Sequence, residues 1–172
     1  MREKEKIFHR IVTDYQDRIY RICCYYSKNK EDSKDLFQEI LINVWISLDR
    51  FRGDASYGTW VYRIALNTAI TCAHKEFKRR QNFHRSNTII EKRMLQAEDI
   101  ETENKFEQAL EQLQIELNQL NVIDRSIMSL YLEKLPSREI ARIIGITETN
   151  VRTKIHRITS QLSNNMNTKS NE

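Results

Sequence analysis

The chain has 172 residues, enough for one or two small domains with cores of their own. Its 40% apolar and 30% charged residues are those of a globular chain, not a disordered or fibrous one. Three Gly and one Pro are too few for an all-β fold or for Gly-rich phosphate loops, and 28 Lys+Arg against 24 Asp+Glu leave a charge of +4, which suits a polyanionic partner without requiring one.

In chain order, Ile7, Phe8, Ile11, Val12, Tyr15, Ile19, Ile22 and Tyr26 recur at helical spacing. The stretch Ser27–Ser33 breaks the pattern, with Ser33 the expected N-cap of a second helix. There Leu36, Phe37, Ile40, Leu41, Val44, Trp45 and Leu48 make one apolar stripe, and Lys34, Asp35, Gln38, Glu39 and Asn43 occupy the other face. The loop Phe51–Gly58 holds two of the three glycines. A third helix is predicted from Thr59, with Trp60, Val61, Ile64, Ala65, Thr68, Ala69 and Cys72 on one side and the basic run KEFKRR (Lys75–Arg80) at its end.

Residues 81–108 lose the pattern and read as a linker with partial helix. Its charge is split: Lys75–Arg93 has seven basic and two acidic residues, whereas Met94–Glu116 has seven acidic and one basic. A segment touching two different surfaces would need such a division. Helical spacing then resumes with Leu110, Leu113, Leu117 and Leu120. Asn121 starts a further helix through Val122, Ile123, Ile127, Leu130 and Tyr131; Leu135-Pro136 marks another start, Gly145 a stop and Thr147 a last N-cap. Residues 166–172 form a polar tail expected to fray.

Cys23, Cys24 and Cys72 are odd in number and lack metal-ligand spacing, so they read as reduced apolar fillers. The first twelve residues carry charge and no continuous apolar core, unlike a signal peptide. No apolar run approaches the roughly 20 residues of a membrane span. A cytoplasmic protein without metal or cofactor is expected.

The sharpest pattern is Ser137–Leu162. Ala141 is small where two helices would cross, Gly145 stands where a tight turn needs positive φ, and Val151 returns to the shared core with Ile140, Ile144, Ile146 and Ile155. That is the spacing of a helix-turn-helix, whose second helix enters the major groove. This helix would expose Arg152, Thr153, His156 and Arg157 to base edges, while Thr147, Thr149 and Asn150 at its start would meet phosphate. The bland alternative is a helical hairpin with a solvated basic face.

Asp35 and Glu39 stand one helical turn apart, a spacing compatible with acid–base or metal chemistry, but no His or third carboxylate supports them. A solvated acidic face or a protein-binding face fits as well. Phe51, Arg52, Tyr57, Trp60 and Tyr62 mix aromatics with base, as single-stranded nucleic acid requires, although Trp60 could equally be core. The four histidines are scattered, and no HExxH, P-loop or nucleophile elbow is present, so no enzyme site is visible.

Taken in order, Asp35-Leu36-Phe37-Gln38-Glu39, then FRGDASYGTWVYRIALNTA, then a helix-turn-helix ending VRTKIHRI resemble the extracytoplasmic-function (ECF) sigma factors of bacterial RNA polymerase over residues 5–162. The resemblance implies an all-α chain of two small helical domains joined by a flexible linker. Sigma region 2 would occupy residues 1–80 and region 4 residues 109–165. It implies that Asp35, Gln38 and Glu39, with Ile42 and Trp45 beside them, dock on the β′ clamp helices of core polymerase. Arg52, Asp54, Ser56, Trp60 and Asn67 would read a flipped base of the −10 element, and Lys75, Lys78, Arg79 and Arg80 would hold its backbone. The linker would run through the active-site cleft with Glu98–Glu107 mimicking nucleic acid. Thr147, Thr149, Asn150, Arg152, Thr153, His156 and Arg157 would engage the −35 element, with region 4 touching the β flap. A separate anti-sigma protein is the expected regulator. The sequence departs from the family where Leu120-Asn121 replaces Leu-Pro and where Pro136 replaces a Ser or Thr cap. The rival reading is a stand-alone helix-turn-helix regulator that binds DNA without polymerase.

Overall fold

A computed structural model describes residues 3–84 and 112–169. Among them the regular structure is helical, with no strand. The helices are α1 (Glu3–Tyr26), α2 (Lys30–Ser47), α3 (Tyr57–His84), α4 (residues 112–119), α5 (Val122–Leu132), α6 (Ser137–Ile144) and α7 (Glu148–Lys169), with a single 3₁₀ turn at Leu48–Arg50. The masses of charge read from residues 85–111, Glu98–Glu107 included, and the last residues of the tail lie outside the described residues.

The helix ends differ from the predicted ones in instructive ways. The break after α1 is only three residues long, and the N-cap of α2 is Asn29, not Ser33. Asn29 Oδ1 accepts the Asp32 N–H at 2.8 Å, whereas Ser33 is inside the helix and turns its hydroxyl back onto the Asn29 carbonyl. Asn and Ser cap equally well, so the first one able to reach an orphan N–H wins. α3 begins at Tyr57, two residues early, because Ser56 Oγ accepts the Thr59 N–H. It runs on to His84, so the basic run Lys75–Arg80 lies within the helix and not at its end. Asn121, Gly145 and Thr147 act as predicted: Asn121 caps α5, Gly145 closes α6 in the left-handed region at φ 83°, and Thr147 Oγ1 accepts the Asn150 N–H. Pro136 precedes α6 without a side-chain cap, as its missing donor allows.

α1, α2 and α3 close one core around Ile11, Ile19, Cys23, Leu36, Ile40, Val44, Val61, Ala65 and Ala69, all buried. The Cys23 thiol is part of it, and burial pushes its pKa up to about 12, the mark of an inert filler. A smaller core joins Leu117 of α4 to Met128, Ile158 and Leu162. The third cluster crosses between the halves: Ile22, Tyr62 and Leu66 pack with Ile127, Leu130, Leu135, Ile140, Ala141, Ile143 and Val151. The helix-turn-helix core is thus shared with α1 and α3.

Polar contacts follow the same seam. Arg21 grips Glu133, Tyr26 Oη lies 2.9 Å from Ser126 Oγ, Thr59 Oγ1 donates to Glu139, and Arg63 donates to the Arg142 carbonyl at 2.7 Å. Gln114 of α4 reaches the Cys24 carbonyl at 2.9 Å.

Candidate functional site

Three surfaces carry the residues singled out in the sequence. The first is on α2. Its apolar residues are drawn into the core by α1 and α3, which leaves Asp35, Gln38, Glu39, Ile42 and Trp45 exposed on the outward face. These positions are spaced by three, one, three and three residues, so they form a continuous strip. Ile46, not anticipated from the pattern, extends it: Ile42 is 52% and Ile46 58% exposed. Trp45 is more tightly held, with Phe8 edge-on at 5.2 Å and Lys4 over its ring. The strip thus runs from an acidic head to exposed branched aliphatics. Beside it a cleft of about 540 Å³ is lined by Asp32, Asp35 and Glu39 from α2 and by Lys75, Glu76 and Arg79 from α3.

The second surface is the loop and outer face of α3. Arg52, Asp54 and Ser56 are exposed. Phe51 stacks on Tyr57 at 4.6 Å and leans on Trp60 at 5.0 Å. Trp60 is packed against the core and only partly buried. At 100° per residue, Trp60, Asn67 and Lys78 fall on one line along α3, about 27 Å long, with Lys75 on its flank. Asn67, Lys75, Lys78 and Arg79 are exposed along it; the Arg80 side chain lies outside the described residues. Asn67 also lines a 160 Å³ cavity whose other wall is Val122, Ile123, Ile143 and Ile144.

The third surface is α7. Val151 and Ile158 are buried, which turns Thr149, Asn150, Arg152, Thr153, His156 and Arg157 outward, with Thr147 exposed just before the helix. Arg152 is steadied by Glu148 one turn earlier, and the Thr153 hydroxyl folds back on the Thr149 carbonyl at 3.0 Å.

Behind α7 lies a residue the sequence reading missed. Asp124, in the first turn of α5, is 2% exposed. It receives Lys154 Nζ at 2.8 Å on Oδ1, and Asn121 Nδ2 at 2.8 Å and Arg157 Nη2 on Oδ2. Burial pushes its carboxyl up, but the hydrogen bonds from Lys154 and Asn121, with the charges of Lys154 and Arg157, hold it below the ordinary value. Its neighbour Arg125 serves the fold: it spans to the Leu117 and Asn118 carbonyls and covers the Tyr26 ring, and burial lowers its pKa. The spacing Asn121-x-x-Asp124 is a capping pair, and that was the available signal.

No group of three or more His, Cys, Asp or Glu capable of holding a metal is found among the described residues, and no described helix is long and apolar enough to cross a membrane.

Comparison with known proteins agrees over both halves. The family models for sigma-70 region 2 and sigma-70 region 4 match residues 11–82 and 105–162, together more than half of the chain. The chain is 28% identical over 169 residues to the ECF RNA polymerase sigma factor SigW of Bacillus subtilis, covering 87% of this chain and 83% of that protein. It is 40% identical over 65 residues to the ECF RNA polymerase sigma-E factor of Escherichia coli, 38% of this chain and 34% of that one. Among solved structures, the sigma factor RpoE bound to the anti-sigma factor NepR from Bartonella quintana superposes with a TM-score of 0.69 at 16% identity, over 92% of this chain and 96% of that one. CnrH bound to the cytosolic domain of CnrY gives 0.68 at 18% identity, over 95% and 90%.

Proposed function

This chain belongs to the sigma-70 family of RNA polymerase sigma factors, in its ECF group, and on that premise we propose how its surfaces divide the work. The two halves correspond to region 2, about residues 1–80, and region 4, about residues 109–165, with residues 81–108 as the connector. The α2 strip is the core-polymerase dock. Asp35, Gln38 and Glu39 offer charge and hydrogen bonds to the β′ clamp helices, and Ile42 and Trp45 bury apolar area against them. Polar groups beside a small apolar patch are what a specific protein interface uses.

The 51–60 loop and α3 take the −10 element as a single strand. A base turned out of the duplex needs an aromatic face and hydrogen-bonding groups at its edge. Phe51, Tyr57 and Trp60 supply the face, and Arg52, Asp54, Ser56 and Asn67 the edge contacts, while Lys75, Lys78, Arg79 and Arg80 follow the phosphates. α7 reads the −35 element as duplex, with Arg152, Thr153, His156 and Arg157 toward bases and Thr147, Thr149 and Asn150 toward phosphate. The protein has no catalytic step of its own and works in the cytoplasm, where the polymerase is. An anti-sigma protein is its regulator, in keeping with the Bartonella quintana neighbour, whose structure holds it in complex with an anti-sigma factor, and region 4 also meets the β flap.

The observation that carries this reading is the order of exposed faces in one chain: an acidic–aliphatic strip, an aromatic–basic helix and a recognition helix. Run-off transcription with core polymerase, on fragmented DNA from the organism of origin, tests it. The expected result is transcripts with defined starts that appear only when the protein is added. Protein that neither yields transcripts nor co-elutes with core polymerase, yet retains duplex DNA, would replace the reading with that of a stand-alone regulator.

A further inference from the structure

Asp124 is a buried carboxylate with more cation than it needs. One positive charge suffices to compensate one buried negative charge. Lys154, only 26% exposed, sits 2.8 Å away and supplies it. Arg157 is 60% exposed, yet it too is tied to Asp124, and through Nη2 alone. Two cations on one carboxylate leave a net positive charge at the surface, and it is on the guanidinium. Arg157 follows His156 directly and lies one turn beyond Thr153, so its fork is held beside the outward face of α7.

An unrestrained arginine surrenders rotamer entropy when it is fixed, and pre-organisation removes part of that cost at the moment of binding. The guanidinium has five donors in a rigid plane; with one nitrogen held, the others keep their spacing and gain a direction. Asp124 is itself fixed, because Asn121 accepts its N–H at 3.0 Å and donates to its Oδ2.

We propose that Asp124 is a positioning residue for promoter recognition: it pins Arg157 by one edge of its guanidinium so that the other edge meets a base of the −35 element. Guanine, with two acceptors side by side in the major groove, is the base that fits a pinned fork. The inference rests on the assignment of α7 to the −35 element. It adds a consequence of its own, that a residue which touches no DNA sets the base preference at one position.

The test is selection of −35 sequences from randomised duplex promoters by core polymerase carrying the full chain. The wild type is compared with Arg157→Ala, Asp124→Asn, the double variant and Lys154→Gln. Arg157→Ala is expected to erase preference at one position. Asp124→Asn should weaken preference at that same position by about tenfold, within the range one bidentate base contact contributes, and add nothing to Arg157→Ala. It should also raise affinity for unrelated DNA and steepen its salt dependence by about one phosphate contact, because the freed cations reach for backbone. Lys154→Gln disturbs the same carboxylate but leaves Arg157 pinned, so the preference should persist. Preference retained in Asp124→Asn, or lost equally at every position, overturns the inference while leaving the −35 assignment in place. If Arg157→Ala changes no position, the assignment of Arg157 itself has failed. Asp124→Ser, followed by thermal melting, serves as the second variant should Asp124→Asn not fold.

Discussion

Arg21 and Glu133, 112 residues apart in the chain, form a two-pronged ion pair across the seam between the halves: Nε reaches Oε1 at 2.9 Å and Nη2 reaches Oε2 at 2.7 Å. The Glu133 side chain is 1% exposed and that of Arg21 51%. Tyr25 adds a longer hydrogen bond to the same carboxylate. Without the guanidinium, the Glu133 carboxyl would lose its ion-pair partner in a nearly dry site. In a rigid fold that costs roughly 3–5 kcal/mol, less here because Arg21 is half in water. The halves have a cheaper response, which is to part and let water reach the carboxylate.

Arg21→Ala is therefore expected to loosen the seam before it unfolds either half. Small-angle scattering should show a larger radius of gyration with the helical signal unchanged. A variant as compact as the wild type and melting at the same temperature would show that the pair does not hold the halves together.

Reversing charge at Asp35 and Glu39 changes an exposed face and no core contact. The doubly reversed protein should melt within a degree or two of the wild type, since surface substitutions are usually within about 0.5 kcal/mol. It should fail to co-elute with core polymerase. Undiminished co-elution would remove α2 from the proposed dock.

Gly58 is packed against Tyr15: a Cβ there would lie 3.1 Å from the Tyr15 hydroxyl and 3.2 Å from its ring edge. Tyr15 is backed edge-on by Tyr62, which is 1% exposed and hydrogen-bonded to Arg18, so the ring has little room to withdraw. Ala would gain about 0.5–1 kcal/mol of helix propensity, and overpacking would cost about 1–3. Gly58→Ala is predicted to lower the melting temperature by about 2–4 °C. A rise would mean that Tyr15 yields freely.

Lys134 is in the left-handed region, at φ 60°, where α5 closes with its N–H on the Tyr131 carbonyl and that of Leu135 on Leu130. A side chain costs about 1–2 kcal/mol there, and glycine gives back about half through its looser unfolded chain. Lys134→Gly should be stabilising by about 0.5–1 kcal/mol, read as an upward shift in the denaturant midpoint at constant slope. Destabilisation would assign the lysine side chain a contact worth more than the strain.

The acid limb of stability should carry the signature of Asp124. Its folded pKa lies below the ordinary 3.8, because hydrogen bonds and cations outweigh burial. A carboxylate depressed on folding contributes stability that is complete above the unfolded value and is lost as pH falls through the folded one. The drop in melting temperature between about pH 5 and about pH 3 should be smaller in Asp124→Asn than in the wild type. Equal drops would mean that other carboxylates dominate the limb.

Much of this protein was legible in one dimension. A helix puts every third or fourth residue on one side, so the apolar stripe of α2 also placed Asp35, Gln38 and Glu39 outward, but it counted Trp45 as apolar face and the structure leaves that ring exposed. Gly145 declared a left-handed stop because only glycine is comfortable there. The order of DLFQE, the aromatic–basic loop and the helix-turn-helix carried the family. Cap choice was less legible where Asn29 and Ser33 competed, since both can cap and only the reach of the chain decides. Trp60 was ambiguous because it both packs and faces outward.

Periodicity states which face of a helix is apolar, but not which partner will cover it. Nothing in the spacing of Ile22, Tyr62 and Leu66 indicated that they would meet Ile127, Leu130 and Val151 in one cluster. Nor did any local pattern mark Glu133 as the counterpart of Arg21, or Asp124 as the anchor of Lys154 and Arg157. Helix, turn and outward chemistry are set by residues within a few positions of one another, and the sequence determined those. Which buried charge meets which cation depends on how the helices cross in space, and only the tertiary structure decided it.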